Sequence, residues 1–361
     1  MELYYILLMK SHLESYPCPL QINSYWNFGF LLGITIILQI ISGLLLSFHY
    51  TSDIEFAYFS IFFLIREIYY GSYLRYFHSS GASFIFIFIY IHISKTIFYL
   101  SFLYNYNIFL SGISLFLYIM SIAFLGYVLP FGQMSFWGAT VIINLLSPFP
   151  SLIEFLCGTY SVYNPTLKRF FLFHFQFPFL ISTFIIIHIF YLHFISSNNP
   201  LRNTINNKIS FFPFMTSKDF FILYLYILFI QIQNNFYFYT FSHPDNAKEV
   251  CPLLTPLHIV PEWYFLCQYA ILKAVPNKNA GFIILLTSIF IFFLFGEIKN
   301  ISILFYISSI YSYYLFIICY LYIYILLIVI GGQFPQDYFL SHGRILTLYY
   351  YFIIICILLS L

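Results

Sequence analysis

Long apolar runs without charged residues recur along most of the chain. Because about 20 apolar residues form a helix that crosses the hydrocarbon core of a bilayer, each such run is a candidate span. The pattern therefore predicts an all-α polytopic membrane protein with eight transmembrane helices. The predicted crossings cover residues 27–48, 75–100, 109–129, 170–194, 220–241, 280–296, 303–330 and 345–361.

The apolar segment 132–147, between the third and fourth crossings, is interpreted differently. Pro130 favours an end to the preceding helix, and the segment would be only about 24 Å long as a helix, which is short for a crossing. We expect an interfacial helix here. The second and fourth crossings then run in the same direction through the membrane.

Composition supports a membrane chain and excludes other classes. Of 361 residues, 62% are hydrophobic, 24% aromatic and only 7% charged, which is not the composition of a soluble domain. The formal net charge of +2 and the scattered Lys and Arg give no reason to expect a nucleic-acid partner, so partners are expected in the lipid bilayer. The six cysteines lie far apart without a C-x-x-C motif and are interpreted as buried apolar thiols.

Four histidines inside the apolar runs form two pairs with the same spacing. His78 and His92 lie 14 residues apart, and so do His174 and His188. Fourteen residues make about 3.9 helical turns, so the members of a pair point nearly the same way, about 21 Å apart along the helix. Two such helices that face each other can hold two haem groups, one above the other, each between two imidazoles.

The repeated spacing favours haem ligation over a structural role for these four histidines. An ionisable side chain inside a bilayer is costly and usually functional, and neutral imidazole is a natural axial ligand of iron. A proton relay would also use histidines, but it has no need of two matched steps. With parallel ligand helices, we expect one b-type haem between His78 and His174 and another between His92 and His188. The pairing would invert if the interfacial segment crossed the membrane.

Glycines in the first and third crossings repeat the same step. Gly29 and Gly43 lie 14 residues apart, as do Gly112 and Gly126. A residue without a side chain lets a helix approach a flat group closely, although glycine is also common at membrane helix contacts. The matched spacing predicts that the first four helices form the cofactor bundle.

Three cations near the ends of the ligand helices are candidates to hold haem propionates. They are Arg75, Lys95 and Arg169, which lie three to five residues from a ligand histidine. Ordinary snorkelling to the membrane interface is the alternative for each of them.

Four further motifs stand in a fixed order along the chain. They are GYVLPFGQMSFWGAT at 126–140, SNNP at 197–200, HPDN at 243–246 and PEWY at 261–264. With the histidine pairs, they resemble the mitochondrial cytochrome b family, the core subunits of ubiquinol:cytochrome c oxidoreductase (respiratory complex III). The resemblance covers nearly the whole chain. The related photosynthetic form is split after the fourth helix and has one more residue between the second pair of histidines, and this chain has neither feature.

The resemblance implies a quinol-oxidising site on one face of the membrane. Glu262, in the turn between crossings five and six, would accept a proton from the quinol. Tyr264, Tyr269 and Tyr127 would line the same pocket, and Gly138 on the interfacial helix would give the quinol ring close access. The alternative for Glu262 is an ordinary loop carboxylate.

The resemblance also implies a quinone-reducing site on the opposite face. In the family, a His and an Asp at the places of His193 and Asp219 flank the quinone and deliver protons to it. Ser197, Asn198 and Lys218 would belong to the same site. An interfacial histidine and a solvated lysine are the alternatives for His193 and Lys218.

A protonmotive Q cycle follows from this resemblance. Ubiquinol near Glu262 would give one electron to a mobile Rieske iron–sulfur protein and the other, through the two haems, to ubiquinone at the second site. The expected partners are the Rieske protein, a c-type cytochrome subunit and accessory subunits, in a homodimeric complex of the mitochondrial inner membrane. Residues 1–200 would form the haem-binding domain, and residues 201–361 a C-terminal domain that contributes to both quinone sites.

Five positions depart from the family pattern. Phe131 stands where Trp is usual, and Cys267 and Gln268 stand where residues are often more apolar. Lys95 stands where Arg is usual, and Ser196 stands where Gly is usual. Because Lys cannot form the bidentate fork that Arg makes with a carboxylate, the second haem would be anchored less firmly.

Orientation and two rival functions stay open at this point. The face with the termini carries six Lys and Arg against eight on the other face, so charge does not decide the orientation, and only the resemblance places the termini in the matrix. One rival is another bis-haem oxidoreductase, such as a transmembrane ferric reductase. The other is a haem-free transporter that uses the histidines as a proton path.

Overall fold

The chain is almost entirely helical in the computed structural model, which describes residues 10–201, 207–297 and 310–359. This confirms the all-α class. The described α-helices of eight or more residues are α1 (Phe28–Ser47), α2 (Ala57–Glu67), α3 (Gly71–Phe98), α4 (Tyr106–Val128), α5 (Gln133–Leu145), α6 (Pro150–Cys157), α7 (Asn164–Ile195), α8 (Thr216–Phe236), α9 (Leu266–Ala274), α10 (Lys278–Glu297), α11 (Ile310–Gly331) and α12 (Asp337–Leu359).

Eight of the described helices are long and apolar enough to cross a membrane, as the apolar runs predicted. They are α1, α3, α4, α7, α8, α10, α11 and α12. Helix α5 has only 13 residues and is not among them, as expected for the segment after Pro130. The predicted start of the seventh crossing, at residue 303, and the end of the eighth, at 361, lie outside the described residues.

Several spanning helices begin before the charge-free runs that predicted them. Helix α8 begins at Thr216 rather than 220, and α12 begins at Asp337 rather than 345. A charge-free run marks only the apolar middle of a span, whereas backbone hydrogen bonds continue into the polar flanks. Asp219 and Asp337 lie in the first helical turn, where the helix dipole favours a carboxylate.

The described residues fall into two compact units, and α4 and α7 each contribute to both. In the first unit, α8 packs against α3, and the rings of Phe84 and Phe88 meet that of Tyr226 edge to face. A short antiparallel ribbon pairs β1 (Pro17–Pro19) with β2 (Lys208–Ser210). This unit comprises Met1–Leu46, Tyr70–Ile119 and Phe177–Phe238.

The second unit is built around the short helix α9. Helices α10, α11 and α12 all pack against α9, and α11 also packs against α12. Ile271 of α9 and Leu327 of α11 are fully buried there, and the buried Tyr350 donates a hydrogen bond to Ser288 O at 2.8 Å. The unit comprises Ser47–Tyr69, Met120–Gln176 and Tyr239–Leu361.

The start of α5 in this second unit is held by a distant loop. Asn246 Oδ1 accepts hydrogen bonds from the backbone N–H of Ser135 at 2.9 Å and from its hydroxyl at 2.8 Å. Gln133 donates to Leu254 O at 2.7 Å and accepts from the N–H of Cys251 at 2.8 Å. The HPDN loop therefore supplies the cap that the N-cap residue of α5, a glycine, cannot supply.

Candidate functional site

Each of the four repeated glycines faces one of the four repeated histidines. A Cβ atom added to any of these glycines would meet an imidazole ring, so a side chain there would force the ring or the helix to shift. The distances from such a Cβ are 3.3 Å to His92 Cε1 for Gly29, 3.0 Å to His78 Cε1 for Gly43, 3.2 Å to His188 Cε1 for Gly112 and 2.9 Å to His174 Nδ1 for Gly126.

The hydrogen bond between Ser42 and His78 fixes the state of that imidazole. Ser42 Oγ lies 2.8 Å from Leu38 O, to which it donates, and 2.9 Å from His78 Nδ1. With that proton on Leu38 O, the Ser42 hydroxyl is placed to accept the proton of Nδ1. In that tautomer the lone pair of His78 lies on Nε2, which is the state that a metal ligand needs.

Two other histidines are held in the same state. Ser111 donates to Ile108 O at 2.9 Å and lies 2.8 Å from His188 Nδ1, so it accepts the proton of that nitrogen. Nδ1 of His174 lies 2.9 Å from Ile122 O, and a carbonyl can only accept. Protein partners therefore orient all three imidazoles, and with the proton on Nδ1 the lone pair lies on Nε2, as a metal ligand requires.

His92 differs from the other three histidines. Its Nδ1 is buried and has no hydrogen-bond partner among the described residues, and Phe28 occupies the place before Gly29 that a serine takes before Gly43 and Gly112. His92 interacts electrostatically with His188 and with Lys95.

The four imidazoles fit haem ligation, because partners at Nδ1 favour the tautomer with the lone pair on Nε2 in three of them and glycines leave room for all four rings. Sequence reasoning missed the serine partners. The signal that could have found them is the Ser-Gly dipeptide at 42–43 and at 111–112.

Two of the cations predicted near the ligand helices have definite protein partners. Lys95 Nζ lies 4.4 Å above the ring of Trp26, a cation–π contact. Arg169 donates to the carbonyls of Phe155 and Glu154 at the C-terminal end of α6, where the helix dipole attracts a cation. Arg75 lies on α3, one turn before its first histidine.

Three residues predicted for quinol oxidation lie together in the second unit. Glu262 precedes the turn Trp263–Phe265 that leads into α9, and it interacts electrostatically with Tyr127 of α4. A Cβ on Gly138 of α5 would lie 3.9 Å from Cε1 of Tyr127. The structure therefore brings Glu262, Tyr127 and Gly138 to one place.

The two remaining tyrosines of this group lie just beyond Glu262 in the chain. Tyr264 is buried, and Tyr269 donates a hydrogen bond from its hydroxyl to Ile259 O at 2.9 Å. Burial raises the pKa of Tyr269, so the phenol stays neutral and keeps this bond.

Residues predicted for quinone reduction lie in the first unit. Asp219 is buried and accepts a hydrogen bond from Asn27 Nδ2 at 2.5 Å, and Lys218 Nζ lies 3.4 Å from Ile22 O. Burial and the negative charge of Asp219 raise the pKa of Cys18 to about 11, so this thiol is neutral. Asn27 was not predicted from the sequence.

His193 is covered by two rings of the N-terminal segment that sequence reasoning did not assign to the site. The ring centroids of Tyr16 and His12 lie 4.5 Å and 5.7 Å from that of His193, with interplanar angles of 19° and 7°. Tyr16 also donates to Leu192 O at 3.3 Å. Nδ2 of Asn198, in the segment that Ser197 begins, is buried and has no hydrogen-bond partner in the part of the chain described.

The fold and these contacts define a class: a multi-pass helical membrane protein whose spanning helices carry two pairs of histidines packed against glycines. Comparison with protein families narrows this class. The family described as Cytochrome b/b6/petB matches residues 13–196, and the one described as Cytochrome b(C-terminal)/b6/petD matches residues 249–352.

Individual proteins agree with the family match. Cytochrome b of Plasmodium chabaudi is 44% identical over 349 residues, covering 96% of this chain and 93% of the relative. Cytochrome b of Toxoplasma gondii is 42% identical over 349 residues, covering 95% and 94%. A chain in a solved structure titled "Hyperthermophilic respiratory Complex III" shares the fold, with a TM-score of 0.88, 23% identity, and coverage of 99% of this chain and 95% of that chain.

The chain belongs to the cytochrome b family. It is a multi-pass membrane protein that binds b-type haem and transfers electrons in a respiratory chain.

Proposed function

We propose that the chain is the quinol-oxidising and quinone-reducing subunit of respiratory complex III and works in the mitochondrial inner membrane. Its partners are a Rieske iron–sulfur protein, a c-type cytochrome subunit and accessory subunits of a homodimeric complex. Support comes from family membership and from the solved complex III that shares the fold. The two rival functions, a ferric reductase and a haem-free transporter, have no such support.

Two b-type haems are held by the four repeated histidines in this proposal. His92 and His188 bind one, and His78 and His174 bind the other through the pairing inferred from the spacing. The observation that carries the proposal is the one-to-one contact between four glycines and four histidines at matching 14-residue steps. When bound, the haems supply carriers for single electrons across a membrane that excludes free charge. The chain's part is to present each Nε2 and to leave space beside each ring.

The quinol-oxidising site is formed by Glu262, Tyr127 and Gly138, with Tyr264 and Tyr269 beside them. Glu262 is the one carboxylate in this group, so it accepts a proton from the quinol hydroxyl as electrons leave. Gly138 has no side chain, which lets a flat ring approach α5, and Tyr127 supplies an aromatic wall next to it. Oxidation of one quinol releases two electrons and two protons on this face.

The quinone-reducing site is formed by His193 and Asp219, with Ser197, Asn198 and Lys218 near them in the chain. The stacked rings of Tyr16 and His12 restrict the rotation of His193 and keep its imidazole where it can donate a proton. Asn27 holds Asp219 by a hydrogen bond. Reduction of one quinone takes up two electrons and two protons from the aqueous side.

A haem-reduction experiment tests the assignment of Glu262. In the purified complex, with the quinone-reducing site blocked by an inhibitor, quinol should reduce haem rapidly in the parent. The Glu262→Gln variant cannot accept the proton, so we expect quinol-driven reduction to be slower by about 100-fold, in the range of a lost general base. Chemical reduction with dithionite should give the same haem spectrum in both proteins.

Glu55→Gln is the matched control, because Glu55 is an exposed loop carboxylate outside the proposed site. This variant should reduce haem at the parent rate. Equal rates for Glu262→Gln and Glu55→Gln would refute the role of Glu262. A parent protein whose haem is not reduced by quinol would refute the proposed function itself.

A further inference from the structure

Lys273, on the same short helix as Tyr269, makes a set of contacts that the proposed chemistry does not explain. Its Nζ donates hydrogen bonds to Gly331 O at 2.9 Å and to Gln333 O at 3.1 Å. The same atom lies 4.7 Å from the centroid of the Tyr269 ring. Lys273 therefore ties α9 to the corner between α11 and α12, which we define as residues 331–336.

The corner is a suitable place for a buried ammonium group. Gly331 is the last residue of α11, so its carbonyl belongs to the helix end that has no intrahelical partners and carries the negative end of the dipole. An ammonium group has three N–H donors. Two of them meet carbonyls, and the third can meet the negative face of the Tyr269 ring, so this half-buried group has a protein partner for each of its N–H donors.

Two further contacts hold α9 against the same corner. Arg344 of α12 donates from Nε to Ala274 O, the last residue of α9, at 3.1 Å. At the other end of α9, a Cβ on Gly331 would lie 2.8 Å from the carbonyl carbon of Leu266. The first turn of α9 follows directly after Glu262 and the turn Trp263–Phe265. Any movement of α9 therefore moves the carboxylate proposed to accept the proton.

We propose that Lys273 is a positioning residue for quinol oxidation, and that its positive charge holds α9, with Tyr269 and the turn that carries Glu262, against the corner 331–336. This inference rests on the proposed function of Glu262. Lys273 itself does not contact the quinol in this proposal. It acts through α9, which places Tyr269 and Glu262 next to the quinol.

The proposal predicts an alkaline limit on quinol oxidation. Burial lowers the pKa of Lys273 to about 8, so the ammonium loses its charge at the upper end of the physiological range. Above that pH the neutral amine binds the two carbonyls more weakly, and quinol oxidation should fall as the pH rises through about 8. The titratable and charged groups around Lys273 are Tyr269 on its own helix, His258 in the preceding loop and Arg344 on α12.

Three variants of the purified complex test this role. Lys273→Met removes the charge and keeps most of the volume, Lys273→Arg keeps a charge that does not titrate, and Lys278→Met removes an exposed charge at the start of α10. We expect Lys273→Met to raise KM for quinol about 10-fold with an unchanged dithionite-reduced haem spectrum. Lys273→Arg should keep KM for quinol within about 2-fold of the parent. It should also move the alkaline limb of the pH profile, where quinol oxidation falls, upward by at least one pH unit.

Each result has a definite meaning. If Lys273→Met behaves like Lys278→Met while the parent oxidises quinol normally, the positioning role is refuted and the proposed function stands. If Lys273→Met does not assemble, the pH profile of Lys273→Arg decides, because an alkaline limb unchanged from the parent would refute the role of the charge. Failure of the parent to oxidise quinol would refute the proposed function instead.

Discussion

Ser111 accepts the Nδ1 proton of His188 across 2.8 Å while donating its own proton to Ile108 O within α4. A histidine that binds a metal through one nitrogen generally gives the other N–H to a protein acceptor, which fixes the tautomer and the ring plane. The hydroxyl of Ser111 sets the tautomer and the ring plane of His188, as that of Ser42 does for His78. These serines therefore contribute to the proposed haem sites although they do not bind iron.

We predict that Ser111→Ala weakens the haem site of His188. The variant removes the serine acceptor of Nδ1, so the ring is held less firmly and the imidazole becomes a poorer ligand. The loss of such a partner typically lowers metal affinity by 10- to 100-fold, and we expect a loss in about that range. The measurement is haem content per protein after extended washing, together with the midpoint potential of the remaining haem.

Ser114→Ala provides the control for this prediction. Ser114 lies on the same helix, is similarly half-buried and, like Ser111, donates to a carbonyl of its own helix, here Leu110 O at 3.0 Å. Its replacement should leave both haem content and potential unchanged. Similar haem loss in the two variants would contradict the role given to Ser111.

Gly126→Ala should be the most damaging substitution among the four repeated glycines. An alanine Cβ would lie 2.9 Å from Nδ1 of His174, so either the ring or α4 must shift. Overpacking of this kind costs about 1–3 kcal/mol, and here it also displaces a proposed haem ligand. We expect a lower midpoint of thermal unfolding and the loss of the low-spin haem signal that depends on His174.

Gly33→Ala is the matched comparison, because among the described residues no atom outside its own stretch of helix lies within 4 Å of its added Cβ. Replacing a helical glycine without a clash favours the helix by about 0.5–1 kcal/mol, so this variant should be as stable as the parent or slightly more so. The two variants should differ in haem content as well as in stability. If Gly126→Ala retained both signals, the tight contact with His174 would not matter in the protein.

Much of the fold could be predicted because an α-helix repeats about every 3.6 residues. Apolar runs predicted the eight spans. The 14-residue spacing shared by the glycine pairs and the histidine pairs predicted that they belong to the same helix bundle. The rings around His193 could not be predicted in this way, because Tyr16 and His12 come from the far end of the chain and show no shared period with it. The same holds for Lys273, whose partners are backbone carbonyls that carry no side-chain signal.

Ser196→Gly should stabilise the protein. Ser196 follows α7 with φ of 81°, in the left-handed region that a residue with a Cβ adopts at a cost of about 1–2 kcal/mol. It is also a position where the resemblance to the family leads one to expect glycine. We predict a rise in the midpoint of thermal unfolding that corresponds to about 1 kcal/mol, with an unchanged haem spectrum.

Ser196→Ala separates this backbone effect from loss of the hydroxyl. Alanine keeps the Cβ that is strained at positive φ, so it should give no gain. A comparable rise in both variants would show that the hydroxyl, rather than the backbone conformation, limits stability at this position.

Asn246→Ala should weaken quinol binding through α5. Its amide oxygen accepts from the backbone N–H and the hydroxyl of Ser135 in the first turn of α5, and the loss of a helix cap costs about 0.5–2 kcal/mol. Because α5 also carries Gly138, fraying of its first turn should raise KM for quinol more than it lowers kcat. Asn246→Asp keeps an oxygen acceptor and adds a negative charge at the positive end of the helix dipole, so it should retain the parent KM. If Asn246→Ala and Asn246→Asp have the same KM for quinol, the side-chain oxygen of residue 246 does not position α5 for the quinol.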